Sequence, residues 1–336
     1  MTPRERVLKA LAHEQPDICP WHITFTIPAH EKLAAYLGTE DLERAAGNHF
    51  AKIEAVPDDG WQEMKPDFWR DEFGVLWDRT IDKDIGNVDP SALVIPEPTL
   101  EGLKFPDPTD PARFAHHEGL CRNNPDFFRV NDFGFTLFER AWTLRGMENL
   151  FYDMVEKPQF VHDLLDRILE WNLSIIEGVS RFDIDAILFG DDWGQQKGLI
   201  MGPDYWREFI KPRAAAEYKL CHERGMYVLI HSCGDVSEIM DDLVEIGVDM
   251  FNPFQPEVMD IAGIKARYSR RMAFFGGMST QEVLPYETPE QVAGQTEWLI
   301  ENIGKGGGYV FSPAHDIPGD VPAENMAAMI EVLKNQ

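Results

Sequence analysis

The chain has 336 residues, 44 % of them hydrophobic and 26 % charged, which is ordinary globular composition. With 31 basic and 58 acidic residues its formal net charge is −27. That charge argues against a nucleic-acid or anionic-membrane surface, and disfavours a strongly anionic substrate unless arginines cluster locally. Four scattered cysteines (Cys19, Cys121, Cys221, Cys233) form no disulfide framework, no run reaches 18 apolar residues, and residues 1–6 lack a signal-peptide core, so a cytoplasmic protein is expected.

Thr2 is placed to cap a helix, with Pro3 at its first position and Glu5 completing a capping box. Val7, Leu8 and Leu11 give that helix one apolar face, and Pro16-Asp17 ends it. Residues 18–25 read as a first strand and 30–37 as a helix. Residues 40–70, rich in Trp, Phe and acid, carry no readable period. Residues 71–78 alternate like a hairpin arm, and 82–112, dense in Pro and Asp, read as an extended excursion. From there the rhythm is regular. Strands at 127–132, 186–190, 226–231, 248–252, 272–276 and 309–312 alternate with helices at 136–150, 158–182, 203–224, 236–246, 257–267, 289–302 and 322–334. Such repeats mean right-handed βαβ units and a parallel sheet.

With 18–25 and 71–80 included the strands number eight, which favours a closed (β/α)8 TIM barrel over an open doubly wound sheet. The expectation is one barrel domain over 1–336, with an N-terminal helical extension and insertions. No G-x-G-x-x-G opens a helix after a strand, and Gly304 to Gly308 precedes a strand, so no nucleotide site is expected.

In a barrel the chemistry gathers at the carboxyl ends of the strands. His231 and Cys233 close the apolar run 227–230 two positions apart, and residues i and i+2 of a strand share a face. An imidazole and a thiol so placed can reach one tetrahedral Zn²⁺; a buried histidine with a small buried cysteine is the bland alternative. His315, after the last strand, is a third candidate ligand, or a loop histidine bonded to backbone. Asp191 and Asp192 are candidates for catalysis: metal ligand, general acid or base, partner to a histidine ring, or simply a loop cap. His22, Gln195, Asn252 and Gln255 are placed to bind a neutral polar substrate, and Trp193 to clasp a flat one, with backbone satisfaction and core packing as the ordinary alternatives.

Read together, several stretches match one family. They are Arg4 to Leu11 followed by His13-Glu14-Gln15-Pro16-Asp17, then Asp191-Asp192-Trp193-Gly194, Trp206 through Lys211-Pro212, His231-Ser232-Cys233-Gly234, and Gly277 to Gln281. Over nearly its whole length the chain resembles the uroporphyrinogen decarboxylase superfamily, which implies a (β/α)8 barrel. The superfamily holds metal-free decarboxylases of polycarboxylate porphyrinogens, and methyltransferases that work with corrinoid proteins. The decarboxylase pattern has arginines just after the first strand. Here that stretch reads Pro20-Trp21-His22-Ile23-Thr24-Phe25-Thr26, and the next arginine is Arg44. The methyltransferase pattern has His-x-Cys at the fifth strand and a distant Cys near the eighth. His231 and Cys233 match the first part; at the second there is no Cys, and His315 stands nearest.

The resemblance thus implies a zinc-dependent methyltransferase close to the O-demethylating branch. It would move a methyl group between a small methyl ether or thiol and a corrinoid. No D-x-H-x-x-G corrinoid motif is present, so the corrinoid would arrive on a separate protein. A carboxy-lyase and a non-catalytic ligand-binding barrel are the alternatives. A homodimer is compatible with all three.

Overall fold

The computed structural model describes residues 1–39 and 41–336. Seven parallel strands follow one another in a single sheet: Phe50–Glu54, Phe128–Phe133, Ala186–Gly190, Tyr227–His231, Met250–Phe254, Ala273–Met278 and Tyr309–Pro313. The extended segment 20–25 lies between the two edges. Trp21 bridges Phe311 in parallel, His22 N donates to the Phe311 carbonyl at 3.0 Å, and His49 N donates to the Trp21 carbonyl at 3.0 Å. Counting that segment first makes eight barrel positions, and Tyr227–His231 is the fifth.

The alternation of each strand sorts two cores. Ala186, Leu188, Leu229, Met250, Phe275 and Val310 point into the barrel. Ile187, Phe189, Val228, Ile230, Phe251 and Phe274 point out against the helices. Helix Pro3–Leu11 starts on the Thr2–Glu5 capping box and lays Val7, Ala10 and Leu11 against the inner layer. It plugs the amino-terminal end of the barrel. Arg4 fixes it there through the carboxylate of Asp185 at 2.7 Å, which Arg129 also holds.

The second barrel position corrects the sequence reading. It is Phe50–Glu54, paired in parallel with Phe128–Phe133, and not 71–80. Phe68–Asp71 and Leu76–Asp78 are antiparallel arms of a separate four-stranded sheet with Trp61–Lys65 and Asn87–Val88. The reason is physical: the inward side chains of Phe50–Glu54 beyond Phe50 are Lys52 and Glu54, which face the open mouth, so the strand lacks an apolar stripe.

The helix expected at 136–150 is interrupted at Gly146, whose φ of +83° separates Phe138–Arg145 from Met147–Glu156. The helix expected at 203–224 contains a π-helical stretch, Trp206–Ile210. Among the described residues no helix is long and apolar enough to cross a membrane.

Candidate metal centre and substrate cavity

Strand parity decides where the fifth position ends. Tyr227 and Leu229 face inward, so His231 does too, at the mouth. Its neighbour in register is Asn252, on the sixth strand. Asn252 donates its amide nitrogen to the Phe275 carbonyl at 2.9 Å, which leaves its oxygen to face His231 Nδ1 at 2.5 Å. Nδ1 must therefore carry the proton, and the lone pair sits on Nε2. Nε2 lies 3.3 Å from Cys233 Sγ and 3.8 Å from the Asp192 carboxylate. His315, on the loop after the last strand, brings its ring to 5.7 Å from that of His231. The donor atoms of His231, Cys233 and His315 all lie within 4.8 Å of one another.

This trio fits a tetrahedral divalent ion with one position left for substrate. Burial and the adjacent Asp192 charge push the Cys233 thiol well above its ordinary pKa. An uncompensated thiolate is thus costly there, and a bound cation reverses that cost.

The loop carrying Cys233 is held by backbone approach. A side chain on Gly234 (φ +83°) would meet the Gly194 backbone at 2.3 Å, and one on Gly194 would meet the Cys233 carbonyl at 2.4 Å. Only glycine at both positions lets the two loops touch. Ser232 Oγ accepts from Trp193 N at 2.9 Å, and Cys233 N donates to Asp192 at 2.8 Å.

The two aspartates therefore have different work. Asp192 faces the cavity beside the trio. Asp191 is fully buried and turned away. It accepts from the backbone nitrogens of Phe138 at 3.0 Å and Glu139 at 2.7 Å, and from Trp193 Nε1 at 2.7 Å. It caps the helix Phe138–Arg145, so the catalytic reading of Asp191 gives way to a structural one. Burial nevertheless lifts its pKa to about 7.

Of the expected substrate contacts, His22 and Asn252 line the cavity. Trp193 does not: it is buried edge-on against Trp206. Gln255 is buried and accepts from Gly234 N at 3.2 Å, supporting the Cys233 loop. Gln195 is exposed in a short hairpin with Gly198–Leu199 and lies off the cavity.

The cavity itself measures about 480 Å³. Its walls include the rings of Trp61, Phe73, Phe133, Phe135, Trp171 and Phe275. Among the described residues eight carboxylates line it (Glu54, Asp71, Glu72, Asp84, Asp132, Glu139, Asp192, Asp316) against three cations, Lys52, Arg79 and Arg140. Lys52 is paired with Asp132, and Arg140 with Asp71 at 2.8 Å. Burial and Asp192 raise Glu139 well above the carboxylate range, and burial and Asp132 raise Glu54 above its ordinary value.

Sequence reasoning missed Lys52, Glu54 and Glu139. The first two sat in a stretch without period. The last could have been found as the first acidic residue of a helix that follows a barrel strand.

A (β/α)8 barrel with its polar groups at the carboxyl ends of the strands is the arrangement of enzymes on this fold. The family profile for uroporphyrinogen decarboxylase (URO-D) matches residues 135–336, and the chain belongs to that family. The uroporphyrinogen decarboxylase of Methylococcus capsulatus is 24 % identical over 182 residues, 54 % of this chain and 50 % of that protein. That of Actinobacillus succinogenes is 22 % identical over 248 residues, 70 % of this chain and 67 % of that protein. The chain spans about half the length of most of the curated relatives it matches. A solved methyltransferase from Methanosarcina mazei superposes over 100 % of this chain and 99 % of its own, with a TM-score of 0.76 and 18 % identity. At that identity the likeness is one of fold.

Proposed function

We propose that the chain is a zinc-dependent methyltransferase moving a methyl group between a small methyl ether or thiol and a separate corrinoid protein, with O-demethylation as its direction of use. The observation that carries the reading is the convergence of His231, Cys233 and His315 at the cavity mouth. The full-length likeness in fold to a protein described as a methyltransferase supports it. A zinc ion held by these three residues would act as a Lewis acid, easing departure of an oxygen or lowering the pKa of a thiol.

The chain's own residues do the rest. Asn252 fixes the His231 tautomer. Glu139, whose carboxyl burial and Asp192 push well above the carboxylate range, lines the same cavity and is placed to give a proton to the alkoxide or thiolate left when methyl departs. The aromatic walls hold the substrate body and limit water. A corrinoid protein would cover the mouth, where all of these groups open.

The curated relatives favour a second reading, a carboxy-lyase. The excess of carboxylates over cations in the cavity speaks against a polycarboxylate substrate. Transfer of a methyl group from a methyl ether to added cob(I)alamin, followed by visible absorbance, tests the proposal. Turnover that a chelator stops and zinc restores supports it. Release of CO2 from a carboxylate, indifferent to chelator, supports the lyase, and ligand capture without either reaction supports a binding barrel.

A further inference from the structure

His22 is the most unusual polar group in the cavity. It is 3 % exposed, lines the space, and neither ring nitrogen has a hydrogen-bond partner among the described residues. Its ring is stacked on Phe50 at 4.9 Å and tilted against Phe275 at 6.3 Å, both inward residues of the barrel core. It therefore stands on the floor of the cavity with its orientation set by packing. Buried polar atoms in native proteins are almost always satisfied, and leaving one bare is costly. A neutral imidazole with two bare nitrogens offers one donor and one acceptor, on different sides of the ring, and a group able to donate or accept can bond at either.

Charge narrows the group. Burial and the nearby Lys52 keep the imidazole neutral. It offers one N–H and one lone pair, so it cannot neutralise a carboxylate. Lys52 cannot do so either, since Asp132 holds it and Glu54 and Asp316 bear on it as well. Arg140 is committed to Asp71. Arg79 lies over the Trp61 ring at 4.7 Å with its Nε on the Ile85 carbonyl. At the ring an ammonium group, which only donates, leaves the imidazole N–H unanswered, whereas a hydroxyl can bond at either nitrogen.

We propose that the site takes an uncharged substrate with an aromatic or apolar body and a hydroxyl, the hydroxyl being bound by His22. Resting on the methyl-transfer reading, this names the substrate class: a neutral hydroxylated methyl ether or thioether. The aromatic walls take the body, and His22 holds the hydroxyl.

The test needs neither methyl transfer nor metal, so it can fail or succeed independently of the proposed reaction. Four probes of equal size, benzyl alcohol, toluene, benzoate and benzylammonium, are titrated calorimetrically into the full chain, with and without zinc. Benzyl alcohol should bind about 5- to 10-fold more tightly than toluene, the ratio one net hydrogen bond provides. Benzoate should bind most weakly. His22→Phe should make benzyl alcohol and toluene equal, and His22→Gln, which keeps a donor and an acceptor, should preserve the preference. Tightest binding by benzoate or benzylammonium, or a preference that survives His22→Phe, would overturn the proposal. Should His22→Phe not fold, nitrogen NMR of the wild-type ring decides: the His22 signals should move with benzyl alcohol and stay with toluene, and equal movement with both overturns it.

Discussion

The two ends of this barrel are built on opposite rules. At the amino-terminal end Val7, Ala10 and Leu11 pack against Phe128, Val130 and Leu229, and the buried carboxylate of Asp185 is held by Arg4 and by the buried Arg129. At the carboxyl end a histidine is buried without partners, a thiol sits beside a carboxylate, and two glutamates are raised in pKa by burial and like charge. One end is held by apolar packing and an ion-pair cluster, and the other gathers titratable groups around a cavity. The difference teaches that the stability of the chain resides below and its chemistry above, as (β/α)8 barrels in general divide them.

Substitutions at each end sharpen or break that division. The largest effect on stability belongs to Asp185→Asn, which leaves the buried Arg129 without its inner partner. It should cost about 3–5 kcal/mol in urea unfolding while leaving zinc content unchanged. Leu11→Ala, a cavity in the plug, should cost about 2–5 kcal/mol with the same indifference at the mouth. Zinc loss in either variant would show that the ends are coupled. Asn252→Ala reverses the pattern: zinc should bind about 10- to 100-fold more weakly in a competition assay, with little change in the unfolding midpoint.

The smallest effect is a pH slope. Burial lifts Glu217 to about 8, and Asp191 to about 7, from ordinary carboxyl values. A carboxyl raised on folding binds its proton more tightly in the native state. Its contribution is complete below the unfolded pKa of about 4 and is lost as pH rises through the folded value. Melting temperature should therefore fall between about pH 5 and 8. Glu217→Gln, which keeps an acceptor for Asn172, should flatten that fall; an unchanged slope would contradict the assignment.

Much of this was legible in the sequence, for identifiable reasons. Strand parity turns His231 toward the mouth, because a buried strand fixes the face of every second residue, and the loop after it brings Cys233 to within 3.3 Å of the ring. The capping box at Thr2 and the strand Ala186–Gly190 appear where they were expected. What failed was local. Phe50–Glu54 hid because a strand whose inward side chains line a polar cavity shows no apolar alternation, and 71–78 mimicked it because hairpin arms alternate too. Asp191 and Asp192 are adjacent and chemically identical. Only the fold reveals that one meets three N–H donors and the other the cavity. Gln255 and Trp193 support the loops around the trio, a role that sequence cannot separate from substrate contact. The glycines at 194 and 234 carried a signal that was there to be read, since each follows a motif residue at a loop that had to pass close to another.

Elemental analysis of the purified chain, beside Cys233→Ala and His315→Ala, addresses the central claim most directly. The wild type should carry about one zinc per chain, and both variants should lose most of it while keeping their fold by circular dichroism. Wild-type protein without zinc after growth in zinc-replete medium, or variants that retain it in full, would contradict the account.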